Sequence, residues 1–371
     1  MSSIEQINVL HAIGATVAGG AEVMASSVAR ALTKYGVRIG IFALSGTVDE
    51  VGHRVRAELL EDGLFFRCGP EGEVGIRALL EYAHALRCFN PNIVHLHTPN
   101  TELAHALVGW SVSAQIARTI HTTALARGRL HRWACNHNRA FVSVACSEAV
   151  AAAHVIWASP TVVIPNGVDF SWPPQTFRSR FEACSKLGLS PDMRHFVMVG
   201  GMAGETPARS PKAHDVAITA WNKAALDSNR HALHFIGDGP LRSVLERSAK
   251  DVPGIVFHGI SACVGDWLCA ADVFVMPSRH EGLPLAGIEA LGTGLACIFS
   301  EIPPLLELQP SNALWCRKGD PESLATCFQM AARSGDERRE VRFEEFRVKY
   351  GIANMARSYL NYYKTLLAQS A

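Results

Sequence analysis

An α/β fold of two doubly wound domains is predicted by three observations. Short apolar, β-branched runs alternate with segments of helical period, the series restarts after a turn-rich interval, and 371 residues exceed one ordinary core. The first series opens with a strand at Ile7 to Ile13 and a helix at Ala21 to Lys34. It continues with strands at Arg38 to Leu44, Ile93 to Leu96, Ile116 to Ile120, Phe141 to Ala145 and Val162 to Ile164. Helical segments fall around Val74 to Cys88, Glu102 to Ser113 and Glu148 to Trp157. Such alternation implies parallel strands joined by right-handed crossovers. Between Pro165 and Pro191 the texture turns to Pro-Asn-Gly and Trp-Pro-Pro, which places a domain boundary near Phe170. The second series starts at His195 to Val199 and runs through Val216 to Ala225, Ala232 to Ile236, Leu241 to Lys250, Ile255 to Phe257, Val273 to Met276, Leu285 to Leu291 and Ala296 to Phe299. The expected domains are therefore 1–170 and 171–350, with a closing helix in 351–371 whose tyrosines 359, 362 and 363 need an apolar partner.

Composition narrows the function classes. A net charge of +1 gives no global attraction to nucleic acid or to an anionic membrane. Ten cysteines are scattered without a CxxC pair, mostly in apolar runs, as in a reduced cytosolic chain. Neither a signal peptide nor an apolar stretch of spanning length is read, so a cytoplasmic chain is expected, with any membrane contact peripheral.

Two sites carry chemistry. After the first strand, Gly14 to Glu22 forms a glycine turn opening a helix, which lets backbone amides at Gly19 and Gly20 approach a phosphate. Glu22 stands where a Walker motif would need a cation, so a nucleotide-hydrolysing P-loop is disfavoured. In the second half, Arg279-His280-Glu281-Gly282-Leu283-Pro284-Leu285-Ala286-Gly287-Ile288-Glu289 follows a strand. A helix starting near Pro284 would leave Glu281 in the preceding loop, put Glu289 on the second turn, and turn the amides of Gly282, Leu283 and Leu285 toward an anion. A loop carboxylate suits sugar hydroxyls, and the helical one suits a ribose.

These residues resemble the GT-4 glycosyltransferases, whose signature is this E-x7-E arrangement. The resemblance also takes in Gly19 to Glu22, His121 at a strand end, Val163 to Asp169, Ile236 to Pro240, His258-Gly259 and Ala271 to Ser278. It implies a GT-B fold with a cleft between two Rossmann-like domains, and a retaining, metal-independent transfer from a nucleotide diphosphate sugar to a glycan, lipid-linked glycan or small-molecule acceptor. By resemblance Gly20 approaches the donor phosphates, His121 the donor sugar near its reacting centre, Glu281 the sugar and Glu289 the ribose. One part departs from the family. Its usual glycine-arginine pair is replaced by Val199-Gly200-Gly201-Met202 and a longer loop, Ala203 to Pro211, before Lys212. Lys212 matches the family's phosphate-binding lysine, and Arg209 is the substitute available for the missing arginine.

Rival readings stay open. His95 and His97 share one face of a strand end, and with His121 they invite a zinc hydrolase, although no carboxylate partner is evident. A nucleotide-sugar 2-epimerase or a non-catalytic sugar-nucleotide-binding subunit would keep the same fold. No Asp-x-Asp occurs, so no divalent cofactor is expected. Finally, Leu103 to Ser147 lacks Asp and Glu but carries arginines 118, 127, 129, 132 and 139 with Trp133. Glu22 is assigned to the acceptor side, where Arg127, Arg129 and Arg132 would offer a basic rim to a phosphate-bearing acceptor at an anionic membrane.

Overall fold

The computed structural model describes residues 6–72, 74–123, 128–138, 142–154, 161–171, 177–310, 313–334 and 343–369. The chain divides into two compact units, Met1–Asp169 with Tyr350–Ala371, and Phe170–Lys349.

The first unit runs β1 (Asn8–Ile13), α1 (Gly20–Thr33), β2 (Arg38–Ala43), α2 (Glu50–Glu61), β3 (Phe65–Cys68), α3 (Ile76–Phe89), β4 (Ile93–Leu96), α4 (Pro99–Val108), β5 (Gln115–Ile120), α5 (Arg129–His137), β6 (Ser143–Ala145), α6 (Glu148–His154) and β7 (Thr161–Val163). The second runs α7 (Phe177–Leu187), β8 (Arg194–Val199), α8 (His214–Ala224), β9 (His231–Ile236), α9 (Arg242–Ala249), β10 (Ile255–Gly259), α10 (Val264–Ala270), β11 (Val273–Met276), α11 (Leu285–Thr293), β12 (Ala296–Ser300), α12 (Pro303–Leu306), β13 (Ala313–Cys316), α13 (Pro321–Arg333) and α14 (Phe343–Lys349). Then α15 (Ile352–Ala368) rejoins the first unit.

Both sheets are wholly parallel, ordered β3-β2-β1-β4-β5-β6-β7 and β10-β9-β8-β11-β12-β13. In each, the winding reverses beside the first strand of the unit, between β1 and β4 and between β8 and β11. Doubly wound sheets bind ligands at the carboxyl ends of such a pair, where connecting loops diverge and helix N-termini point outward. Strands buried on both faces read as continuous apolar runs, which is why β1, β4, β8 and β11 were visible in the sequence.

Local chemistry sets the helix starts that matter. At α4, Pro99 occupies the first turn and Thr98 and Thr101 form a reciprocal capping box, fixing the chain immediately after His97. At the return to the first unit, the amide of Val168 donates to Tyr350 O (2.8 Å) and that of Ile352 to Val168 O (2.9 Å). A Cβ on Gly167 would press on Met355, so glycine is what allows α15 to lie this close. Tyr359, Tyr362 and Tyr363 are buried there.

The turn-rich reading of Pro165 to Pro191 is corrected, because α7 occupies part of it. Its polar sequence hides a tertiary role: the Arg180 guanidinium grips the Asp272 carboxylate at 2.9 and 3.1 Å. The short strands β3 and β13 and the polar helix α2 were also not read from the sequence.

Candidate functional site

In the second unit, β8 and β11 bring two separate segments together. The loop after β8 ends in Lys212, whose stem lies over Gly200; a Cβ on Gly200 would stand 3.2 Å from it. Ala213 follows in the left-handed region, φ +60°, a conformation costing a non-glycine residue about 1 kcal/mol and typical of functional turns. The Lys212 ammonium donates to Glu281 Oε1 at 2.7 Å, so two predicted site residues 69 positions apart meet. Glu281 is buried, and removing one partner of such a pair costs about 3–5 kcal/mol.

The helix carrying the second carboxylate starts as expected, with Pro284 as N-cap and Leu285 as its first residue, leaving Glu281 in the loop. Gly282, Leu283 and Pro284 are buried around that start. Glu289 lies on the second turn. The residue as a whole is half-buried, yet its carboxyl is withdrawn from water, and this desolvation pushes it up to about 7. No hydrogen bond or ion pair reaches this carboxyl among the described residues. Ser210 Oγ and Ser278 Oγ, in the segments flanking Lys212 and Glu281, are also buried without a partner. Polar groups placed this way are costly unless a ligand or solvent meets them.

Arg209 is not brought to this cluster. Its side chain is 74% exposed and pairs with Glu205 along the same turn at 2.7 Å. The arginine that organises the extended loop is Arg279, a residue with no role in the sequence reading. It grips Asp215 on α8 with two contacts of 2.9 and 2.8 Å and donates to Ser210 O at 3.1 Å. Its position directly before His280-Glu281 was the available signal. Arg279 is therefore spent on bracing the loop that presents Lys212.

In the first unit, Gly19 caps α1 and Gly20 begins it. A Cβ on Gly19 would overlap the Glu22 carboxylate, and one on Gly14 would lie 3.3 Å from it. Glu22, assigned to the acceptor side, is thus folded over the turn, and burial pushes its carboxyl up. Nothing lies within 4 Å of a Cβ placed on Gly20, so that face of the turn stays accessible.

His121 follows β5, half-buried, with Nε2 3.2 Å from His97 Nδ1. His97 Nε2 in turn stands 2.9 Å from Nδ1 of His11. Burial pushes His11 down to about 3 and His121 to about 4, and it lowers His95 and His97 too, so all four rings are neutral near neutral pH. The ligand atoms of His11, His95 and His97 lie within 4.8 Å of one another, close enough to hold a metal ion. His121 does not belong to that group, and His11, absent from the sequence reading, does. All six nitrogens of the trio have partners: His95 reaches the Tyr363 hydroxyl (2.6 Å) and Thr119 (2.8 Å), and His11 Nε2 reaches Tyr363 at 3.5 Å. A metal ion would have to displace those bonds.

The basic stretch is also redistributed. Arg118 is buried against Glu102 (3.6 Å) and donates to Ser143 Oγ (2.7 Å), so it serves the interior. Arg127 and Arg139 lie outside the described residues. Arg129 and Arg132 are exposed on α5 beside exposed Leu130 and Trp133, while Cys135 and Asn138 on its inner side bond to Glu102.

Two Rossmann-like units, each with polar residues at its switch point, define the architecture shared with solved GT-B transferases. The Anabaena protein HepE, solved in complex with UDP and glucose, superposes with a TM-score of 0.79 over 97% of this chain and 100% of that one at 13% identity. The family model "Glycosyltransferase Family 4" matches residues 18–172, and "Glycosyl transferases group 1" matches 194–333. The chain belongs to the group 1 glycosyltransferases of the family 4 type. A Mycobacterium tuberculosis relative, a GDP-mannose-dependent alpha-(1-6)-phosphatidylinositol dimannoside mannosyltransferase, is 32% identical over 46% of this chain and 43% of its own. An Escherichia coli UDP-Gal:alpha-D-GlcNAc-diphosphoundecaprenol alpha-1,3-galactosyltransferase is 33% identical over 38% and 36%. The match therefore spans less than half the length of these curated relatives. No described helix is long and apolar enough to cross a membrane.

Proposed function

We propose that the chain transfers a sugar from a nucleotide diphosphate donor to a lipid-linked or polysaccharide acceptor, with retention of anomeric configuration and without a divalent metal. The observation that carries this reading is the Lys212–Glu281 pair in the segments that follow β8 and β11, with the Glu289 carboxyl on the helix that starts there left without a partner among the described residues. Lys212 and the loop amides would neutralise the leaving diphosphate, Glu281 would hold sugar hydroxyls, and Glu289 would accept hydrogen bonds from the ribose. His121 and Gly20 would serve the reacting sugar and the phosphates. The donor's anomeric C–O bond breaks as the acceptor oxygen bonds to the same face, and the acceptor proton passes to the departing phosphate.

The donors in these relatives' names, GDP-mannose and UDP-Gal, differ in base and sugar. A thermal-shift screen of UDP, GDP, ADP and their sugars is therefore the first test, since a ligand that binds the native state raises the midpoint. A nucleotide diphosphate should raise it in the wild type and much less in Glu289→Ala. No shift with any nucleotide would sink the reading. Activity lost with chelator and restored by Mn²⁺ would overturn metal independence.

The acceptor side rests on α5, where Arg129 and Arg132 have no ion-pair partner among the described residues and stand beside exposed Leu130 and Trp133. A helix of this kind suits peripheral contact with an anionic membrane bearing a phosphate-linked acceptor. Binding to anionic vesicles should exceed binding to neutral ones and fall with salt and in Arg129→Ser/Arg132→Ser. Equal partitioning onto both vesicle types removes this part.

A further inference from the structure

We propose that a buried row of hydrogen bonds fixes His121 as an N–H donor through Nδ1, with Tyr359, Thr119, His95, Tyr363, His11 and His97 as its positioning residues. The inference rests on the assignment of His121 to the reacting sugar.

The row is continuous. The Tyr359 hydroxyl lies 2.9 Å from Thr119 Oγ1, which lies 2.8 Å from His95 Nε2. His95 Nδ1 is 2.6 Å from the Tyr363 hydroxyl, which reaches His11 Nε2 at 3.5 Å. His11 Nδ1 and His97 Nε2 are 2.9 Å apart, and His97 Nδ1 and His121 Nε2 3.2 Å. Three strands and α15 supply these groups. In-register pairing sets His11 beside His95, and the α15 tyrosines close the row from outside the sheet.

Counting hydrogens settles the direction. Each hydroxyl carries one hydrogen, and so does each neutral imidazole, which donates through one nitrogen and accepts through the other. Seven groups thus hold seven hydrogens, and the six contacts just given consume one each. One hydrogen is left over. At one end of the row Tyr359 is fully buried, and among the described residues Thr119 is the only partner its hydroxyl has. At the other end His121 is half-buried and its Nδ1 has no partner among the described residues. A reversal at an imidazole would set two hydrogens, or two lone pairs, face to face, and a reversal at the Thr119 or Tyr363 hydroxyl, whose oxygen can accept twice, would strand that buried hydroxyl hydrogen; a buried hydroxyl hydrogen without an acceptor is the costlier placement. The order that leaves nothing unmet runs from Tyr359 to His121. His121 Nε2 then accepts from His97, and the remaining hydrogen sits on Nδ1. His121 therefore gives a hydrogen to an oxygen of the bound sugar and is not positioned to remove a proton through that nitrogen.

The test uses the full chain labelled with ¹⁵N-histidine. Nitrogen–proton correlation spectra distinguish the two tautomers, and His121 is assigned by the signal lost in His121→Gln. At neutral pH the wild type should show the His121 hydrogen on Nδ1. In His97→Phe, Nε2 loses its donor and the hydrogen should move to Nε2, the tautomer favoured in water. In Tyr363→Phe, His11 Nε2 has neither donor nor acceptor, the two orders come close in energy, and His121 should show both tautomers. Thr119→Val cuts the row on the other side of His95 and replaces the Tyr363 variant if that one does not fold. A hydrogen on Nε2 in the wild type overturns the proposal, as does Nδ1–H unchanged in both variants. The spectra are read without substrate, so they stand apart from the functional reading. Expected tautomers together with undiminished turnover in His121→Gln would refute the role assigned to His121 and leave the row intact.

Discussion

Both sheets carry histidines side by side on neighbouring strands, and the two rows end differently. In the second unit, His195 on β8, His234 on β9 and His258 on β10 are joined by contacts of 3.0 and 2.9 Å. This row starts from a carbonyl, since His195 Nε2 faces Ser190 O at 2.8 Å, and a carbonyl can only accept. Three hydrogens then meet three acceptors, and the row ends in a lone pair on His258 Nδ1, with that ring packed on Trp267 at 4.2 Å between centroids. The first-unit row starts from a hydroxyl and ends in a hydrogen at His121. Burial holds the rings of both rows neutral, with His234 pushed down to about 3. What separates them is the group at the buried end and the place of the open end. The first row finishes at His121, a residue assigned to chemistry, and the second finishes at His258 against a tryptophan.

That contrast can be broken or sharpened by substitution. The largest effect is expected at Lys212→Ala, which removes the ammonium facing the leaving diphosphate and leaves Glu281 buried without it. Donor kcat/KM should fall by about 100- to 1000-fold, measured with the nucleotide sugar found in the thermal screen. Next come the two rows themselves. His97→Gln should lower kcat by about tenfold or more with little change in donor KM. His234→Gln should cost about 1–3 kcal/mol in denaturant unfolding and leave kcat alone. Equal kinetic effects from both would erase the distinction between the rows.

A smaller effect should be read from Glu289→Gln by melting across pH. Because burial raises the Glu289 carboxyl to about 7, the folded chain binds more protons there than the unfolded chain between its ordinary value of 4.5 and 7. This group's contribution to stability therefore falls as pH rises through that window. The variant should melt like the wild type near pH 4 and higher than it at about pH 8; matching curves throughout would show that the carboxyl is solvated. The smallest effect belongs to Arg209→Ala. Its guanidinium stands exposed beside Glu205, so donor KM and melting point should both be unchanged. A raised KM would show that this arginine does reach the diphosphate.

The parts of this arrangement that were legible in the sequence are those written in local pattern. Alternation of period gave the two doubly wound units, and Pro284 after a buried strand gave the start of α11 and the places of Glu281 and Glu289 around it. Edge strands β3 and β13 are as short as β4 and β11 but largely half-buried, so they lack the two-sided burial that marks the central strands. Helix α7 is polar because it is held by Arg180 reaching Asp272, a contact 92 positions away. For the same reason the sequence named Arg209 and gave Arg279 no role: proximity suggested the loop arginine, whereas the partner that decides is Asp215, 64 positions from Arg279. The histidine row is less legible still. His95 and His97 read as a pair on one face, but His11, Thr119, Tyr359 and Tyr363 enter only through strand register and the return of the chain at Tyr350.

That return has a consequence for the order in which the molecule is made. The second unit is an insertion, Phe170–Lys349, whose core is complete once its own residues have emerged from the ribosome. The first unit, although synthesised earlier, must wait for α15 to fill the space that Tyr359, Tyr362 and Tyr363 occupy. Until then His11 and His95 lack their tyrosine neighbours and are more open to water, where imidazoles take up protons near their ordinary pKa of 6.5. Docking of the last helix thus expels protons as it buries the rings. Of the two units, the one whose synthesis starts earlier is completed later, and its completion should slow as the surrounding medium becomes more acidic.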